Sequence, residues 1–267
     1  MQPPEFVVWL LREGSEGILT WESTDDLDGL ERGLAKAVHE GFGVAQLHRL
    51  SARVNPSDAV ARRALHRQGF RYEGLLRGAL GLPGDTFADQ RLYARLATDV
   101  TDGREGFTSV MNSVTPRKRL IAHALITDAA DRVLLCETSF KPDWELPGGI
   151  VEPFESPADG LHREMVEEMG WAPAVGRPLV IDWLRPYLGW EDALELVFAT
   201  DPVTDAERSR LVPDGFEILG LHWVAAEALD ARMTPFGAAR ARSACRARAE
   251  GATVYTEGGD AWRRPLG

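Results

Sequence analysis

The run GGIVEPFESPADGLHREMVEEMG, from Gly148 to Gly170, decides how this chain is read. Ser156 can accept a hydrogen bond from the first turn of a helix, and Pro157 suits the first helical position. Asp159 takes the capping-box position with a shorter side chain than the usual Glu or Gln. Ala158, Leu161, Met165 and Met169 then recur at helical spacing, so one stripe faces a core, and Gly170 stops the helix. Glu164, Glu167 and Glu168 are i, i+3 and i+4, which crowds three carboxylates on one helical face. A Glu-rich face by itself is usually a solvated one. The same arrangement also suits a hard cation, because Mg²⁺ and Mn²⁺ prefer oxygen ligands. Gly148-Gly149 sits directly upstream, where flexible backbone can bring a carbonyl oxygen to that ion. Glu155 can pair with Arg163 across the loop and hold the helix end.

Around this helix the chain alternates strand and helix patterns. The segment 120–126 reads as an apolar strand with 132–136 as its hairpin partner, 179–184, 194–199 and 218–224 as further strands, and 235–250 as a closing helix dense in Ala and Arg. Periodicity is weakest across 99–116, where Asp102-Gly103, Gly106, Ser109, Asn112, Ser113 and Pro116 interrupt it, and a linker is expected there. It separates a first domain at 1–98 from a second at 117–267. In the first, 6–11 and 17–21 are strand candidates, and Leu30, Leu34, Ala37 and Val38 form a helical stripe. The segment 47–54 reads as another strand, and Asn55-Pro56-Ser57-Asp58 turns into a helix that Gly69 ends.

The chain has 267 residues, with 44% hydrophobic and 27% charged, ordinary values for a protein that folds. Its net charge of −11 is opposite to what coating a nucleic-acid backbone requires. A divalent cation can still mediate between acidic side chains and a polyphosphate. Cys136 and Cys245 stand far apart without a Cys-x-x-Cys or Cys/His cluster, so neither a disulfide framework nor a zinc site is indicated. With no run long enough for a membrane span and no signal-peptide pattern, a cytoplasmic protein is expected.

At the residues quoted above the chain resembles the Nudix hydrolase family. Its signature is a Gly, five residues, Glu, seven residues, Arg-Glu, an apolar residue, any residue, Glu-Glu, any residue, Gly and an apolar residue. Gly149, Glu155, Arg163-Glu164, Met165, Glu167-Glu168, Gly170 and Trp171 fill every fixed position. The resemblance spans about 117–248 and implies an α/β/α sandwich around a mixed sheet, with metal-dependent hydrolysis of a nucleoside diphosphate derivative or nucleoside triphosphate. It makes Glu164, Glu167 and Glu168 the catalytic and metal-binding carboxylates, Glu164 also a candidate base, and Gly148 a backbone ligand. The implied metal is Mg²⁺ or Mn²⁺, and Glu155 and Arg163 inherit a structural ion pair. Phe154 stands where the family often has Gly. For a base outside the signature, Glu195 and Glu217 are candidates, each with the ordinary wet face of a strand as the competing reading. Trp144, Trp183, Tyr187 and Trp190 are candidates for base stacking, with core packing the competing reading. His123 reads as a satisfied core histidine. Arg240, Arg242, Arg246 and Arg248 read as a solvated basic face.

The segment 47–96 resembles the C-terminal half of a GNAT-type acetyltransferase, through Arg49 to Val54, Asn55-Pro56-Ser57-Asp58, Gly69-Phe70, Glu73-Gly74, Arg77, Asp89 and Leu92-Tyr93. Such enzymes grip the acetyl-CoA pyrophosphate with backbone N–H groups of a Gly-rich turn opening a helix. Here that place reads Asp25-Asp26-Leu27-Asp28-Gly29, and carboxylates would meet the phosphates. The expectation is a truncated acetyltransferase-like α/β module without acetyl transfer, serving dimerisation or substrate presentation. The alternatives are a bifunctional protein with acetyl-CoA-dependent N-acetyltransferase activity, and a sensor that binds a nucleotide without cleaving it.

Overall fold

The structure, a computed structural model, describes residues 7–187 and 189–261, so Phe6 of the first expected strand lies outside the described residues. The chain divides into two compact units, Met1–Pro116 and Arg117–Gly267. Both are mixed α/β. Among the described residues no helix is long and apolar enough to cross a membrane.

The first unit runs β1 (Val8–Glu13), β2 (Glu16–Trp21), α1 (Leu27–Val38), β3 (Arg49–Val54), α2 (Ala59–Arg67), β4 (Arg71–Leu82), β5 (Thr86–Leu96) and α3 (Gly103–Val114). Its sheet has the order β1-β2-β3-β5-β4, with β2 and β3 parallel and the other pairs antiparallel. Leu19, Leu50 and Ala52 of the strands meet Leu30, Leu34, Ala61 and Leu65 of α1 and α2 in one buried core. Asp26 and Asp58 cap these helices, accepting from Gly29 N–H at 2.9 Å and Ala61 N–H at 2.8 Å.

The segment 99–116, expected to be a linker, contains α3. A Cβ at Gly106 would fall 2.2 Å from the Thr101 carbonyl carbon, so this glycine permits close packing rather than breaking a helix. Ser113 Oγ accepts the Tyr72 N–H of β4 at 3.0 Å, and Val114 packs on the first core.

The second unit runs β6 (Arg119–Leu125), β7 (Val133–Thr138), β8 (Gly148–Ile150), α4 (Pro157–Met169), β9 (Val175–Leu184), β10 (Ala193–Thr200), α5 (Asp205–Arg208), β11 (Ile218–Val224), α6 (Pro235–Ala249), β12 (Val254–Glu257) and β13 (Asp260–Ala261). The main sheet has the order β13-β12-β9-β10-β6-β8, and β10 runs parallel to β6 as β12 does to β9. The expected β6–β7 hairpin does not form. β7 pairs with β11 in a separate two-stranded sheet, and the two strands are tied near their turn by a bridge between Thr127 and Val133, a Leu134 N–H to Ile126 carbonyl bond of 2.9 Å and an Asp128 N–H to Arg132 carbonyl bond of 3.1 Å. Val133 to Cys136 are buried on both faces, so no alternation in the sequence says which neighbour they take.

Period-2 alternation along β6 and β10 splits the core in two. Ala122, Ala124 and Phe198 face Leu161, Met165 and Met169 of α4. Leu125 and Val197 face Ala238, Ala241, Ala244 and Ala247 of α6, whose small side chains let the helix approach closely. The result is helix, sheet and helix in layers, with α4 leaving the edge strand β8.

Candidate active site

The quoted helix starts and stops as its residues dictate. Ser156 accepts from Asp159 N–H at 3.2 Å, and Gly170 ends α4 at φ +71°. Asp159 does not close a capping box. Its carboxylate takes the Ser156 hydroxyl at 2.6 Å, because the shorter side chain stops at the cap side chain. Phe154 sits at φ +74°, the left-handed region that costs a side-chain-bearing residue energy.

Arg163 gathers the loop. It donates to Glu155 at 2.8 and 3.3 Å, to Glu164 and Glu167 at 3.0 Å each, and to the Ile150 carbonyl at 3.3 Å. Glu155 Oε1 also accepts the Glu152 N–H at 2.6 Å, and these bonds hold its carboxyl below the usual range. The fork geometry of a guanidinium suits this many acceptors, which a Lys could not hold together.

The three signature glutamates have different surroundings. Glu168 is buried, and its Oε2 accepts the Gly148 N–H at 2.9 Å. Burial pushes its carboxyl up to about 8, against the pull of the Gly148 bond and His123 and with the push of Glu145 and Glu164. Glu164 lies against the glycine backbone, where a Cβ at Gly149 would fall 2.8 Å from its carboxyl carbon. Its carboxyl is also raised by burial, and Arg163 opposes this while Glu167 and Glu217 add to it. Glu167 is 60% exposed and turned onto Arg163. Glu164 and Glu168 are thus gathered at Gly148-Gly149, and Glu167 is not. Among the described residues no three His, Cys, Asp or Glu groups form a ready metal cage.

The donor set nevertheless fits a hard divalent cation. Two carboxylates one helical turn apart converge on glycine backbone that leaves no room for a Cβ, and the buried one forms no salt bridge among the described residues. A cation there would offset the desolvation that now disfavours the charged form of Glu168.

The NUDIX domain family model matches residues 117–244. A Bacillus subtilis (strain 168) protein, provisionally named 8-oxo-dGTP diphosphatase, is 31% identical over 114 residues, covering 43% of this chain and 71% of that protein. The chain belongs to the Nudix family. By that membership it is a pyrophosphohydrolase. Among solved structures, the MutT protein of Methanosarcina mazei Go1 aligns at 24% identity over 52% of this chain and 99% of that one, TM-score 0.42. A GNAT-family acetyltransferase of Bacillus anthracis aligns at 20% identity over 34% of this chain and 58% of that one, TM-score 0.32.

The remaining candidates of this Nudix domain are scattered. Glu195, expected on a wet strand face or as a base, is 2% exposed and bound to His123 Nδ1 and Arg240 Nη1, each at 2.8 Å. It is therefore not free to take a proton at the signature. Glu217 is exposed, and its charge reaches Glu164. Trp144 is stacked on His222 at 4.0 Å with Arg232 4.5 Å over its ring, so its surface is already covered. Lys118 lies 5.3 Å over Trp183, Arg119 4.5 Å over Trp190, and Tyr187 meets Phe236 edge-on at 5.1 Å.

The expected basic face of α6 is not one face. Arg240 is buried, Arg242 pairs with Asp230 at 2.5 Å, Arg246 donates to Ser243, and Arg248 donates to Thr127. Sequence reasoning missed Glu145, whose charge reaches Glu168, His123 and Cys136. Its place in Trp-Glu-Leu-Pro-Gly-Gly, three residues before Gly148, was the available signal.

Proposed function

We propose that this Nudix protein hydrolyses a diphosphate bond in a nucleoside diphosphate derivative or nucleoside triphosphate, with Mg²⁺ or Mn²⁺ as cofactor. The observation that carries the reading is the pair Glu164 and Glu168 gathered on the Gly148-Gly149 backbone, with the buried Glu168 held by one backbone N–H. Gly148 carbonyl, Glu164 and Glu168 would hold the ion, with Glu167 completing the set by leaving Arg163. A divalent cation there supplies charge neutralisation of the diphosphate and lowers the pKa of a bound water. Arg163 keeps Glu164 aimed while Glu155 absorbs the other half of its guanidinium. Glu164, or the exposed Glu217 whose charge reaches it, takes the proton of the attacking water. The substrate is a small molecule rather than a nucleic acid, in keeping with the net charge of −11.

In the first unit Asp26 caps α1 by accepting Gly29 N–H, which puts a carboxylate at the helix end where a phosphate would have to approach. That supports a module without acetyl transfer, serving dimerisation or substrate presentation. The free thiols of Cys136 and Cys245 fit a cytoplasmic setting.

The test is product release from a panel of nucleoside diphosphate derivatives and triphosphates, 8-oxo-dGTP among them because the Bacillus subtilis relative carries that name. Turnover is expected with Mg²⁺ or Mn²⁺ and not with EDTA. Nucleotide binding without turnover of any substrate would favour the sensor reading instead.

A further inference from the structure

A buried ion cluster lies across the sheet from the signature helix. Asp182 of β9, Glu195 of β10 and His123 of β6 share the face covered by α6, and Arg240 of α6 reaches into them. Arg240 Nε donates to Asp182 at 2.8 Å and its Nη1 to Glu195 at 2.8 Å. The Glu195 oxygen that accepts from Arg240 also takes His123 Nδ1 at 2.8 Å. Asp182 accepts the Gly259 N–H at 2.9 Å and the Thr256 hydroxyl at 2.5 Å. All four charged or titratable residues are at most 7% exposed.

This cluster is poorly built for stability alone. Desolvating such a set of charges offsets much of their attraction, and Nη2 of Arg240 is buried without a hydrogen-bond partner. What the cluster does fix is one ring. His123 stands opposite Gly148 in the β6–β8 pairing, and Gly148 N–H holds the Glu168 carboxylate from the other face of the sheet. The backbones are so close there that a Cβ at Gly148 would fall 3.0 Å from the His123 Cα and 2.2 Å from the Ala122 carbonyl oxygen. β8 has three residues and lies at the sheet edge, so few bonds of its own keep it in register.

We infer that His123 is a positioning residue: clamped by Glu195 and Arg240 on the α6 face, it fixes β6 against Gly148 and thereby the Glu168 carboxylate on the α4 face. No contact of His123 with substrate is needed for this. The inference rests on the proposed metal site for its consequence, but the clamp itself has a readout that needs no metal.

The experiment compares His123→Ala with His123→Asn in the full chain. Asn keeps a donor near the place of Nδ1, whereas Ala removes it, and in both variants Glu195 retains Arg240, so no buried charge is left without its ion pair. Hydrogen exchange of the Gly148 amide is measured without metal, and Mn²⁺ affinity by titration with the metal alone. In His123→Ala the amide is expected to exchange at least about tenfold faster, and Mn²⁺ to bind roughly tenfold more weakly, the usual scale for loss of a group supporting a ligand. His123→Asn is expected to restore most of both. Folded His123→Ala with both readouts within twofold of the wild type overturns the inference. Equal losses in the two variants overturn it too, since the retained donor would then count for nothing. If His123→Ala does not fold, His123→Leu, which fills the space of the ring without a donor, takes its place under the same thresholds, with His123→Asn again expected to restore most of both readouts. A wild type that binds no Mn²⁺ sinks the metal reading, while the Gly148 exchange still decides the clamp.

Discussion

Replacing Glu168 by Gln is expected to lower kcat/KM for diphosphate hydrolysis by about 10²–10³-fold while leaving the metal-free protein at least as stable as the wild type. Gln keeps an oxygen to accept the Gly148 N–H, so the loop retains its 2.9 Å bond. It removes a carboxyl that burial pushes up to about 8 against the pull of His123, so that folding above the ordinary carboxylate range no longer has to protonate the group or desolvate its charge, and a neutral amide costs less to bury. Stability in EDTA should therefore hold or rise. Activity should fall because the charge, not the shape, anchors the divalent ion, and charge stabilisation by a bound metal contributes several kcal/mol to such a transition state. Melting in EDTA and steady-state rates with Mg²⁺, measured on the same preparation, check the two halves. A variant that is both inactive and unstable would mean that Glu168 acts as a structural buttress.

The contrast shows which parts of the molecule the sequence made legible. α4 runs from Pro157 to Met169 because Ser156, Pro157 and Gly170 state its ends in local chemistry, and its apolar stripe states its buried face. Glu155 and Arg163 meet because a signature loop of that length returns on the helix. β7 was harder. Its residues name it as a strand, yet its partner β11 lies some ninety residues downstream (Val133 against Val224), and a strand buried on both faces carries no sign of its neighbour.

The hairpin of β4 and β5 was missed for a different reason. Gly74, Gly78 and Gly81 interrupt its run of leucines, and Leu75, Leu80 and Leu82 are exposed, so alternation does not report a core. α3 was hidden by Gly106, which reads as a breaker in sequence and as a close contact in space. The Asp182, Glu195, Arg240 and His123 cluster was the least legible. Each of these residues sits on a separate element, and an acidic residue in a strand or an Arg in an Ala-rich helix reads locally as solvated. Only the layering of α6 on β9, β10 and β6 makes them neighbours.

The two signature-loop glycines are expected to fail in opposite ways when a methyl group is added. Gly148 has φ +123°, a conformation all but closed to other residues, and its added Cβ would meet backbone: the Ala122 carbonyl oxygen at 2.2 Å and the His123 Cα at 3.0 Å. Neither atom can move without breaking the β6–β8 pairing. Gly148→Ala should therefore destabilise the second unit by about 3 kcal/mol or more. At roughly 2–4 °C per kcal/mol for a domain of this size, its melting transition should fall by about 6–12 °C. Gly149 has no such strain, and its added Cβ would meet the Glu164 carboxyl at 2.8–3.1 Å, the far end of a flexible side chain. Glu164 would swing aside at little cost in stability. The displaced carboxylate would leave the place where it faces Glu168, and a shift of about 1 Å in a catalytic group can cost on the order of 10²-fold in rate. Gly149→Ala should thus melt within a few degrees of the wild type and hydrolyse its substrate about 10²-fold more slowly. Calorimetry and kinetics on the pair separate the two effects. If Gly149→Ala retained full activity, Glu164 could not be a metal ligand in the position it occupies, and the site would have to be rebuilt around Glu167 and Glu168.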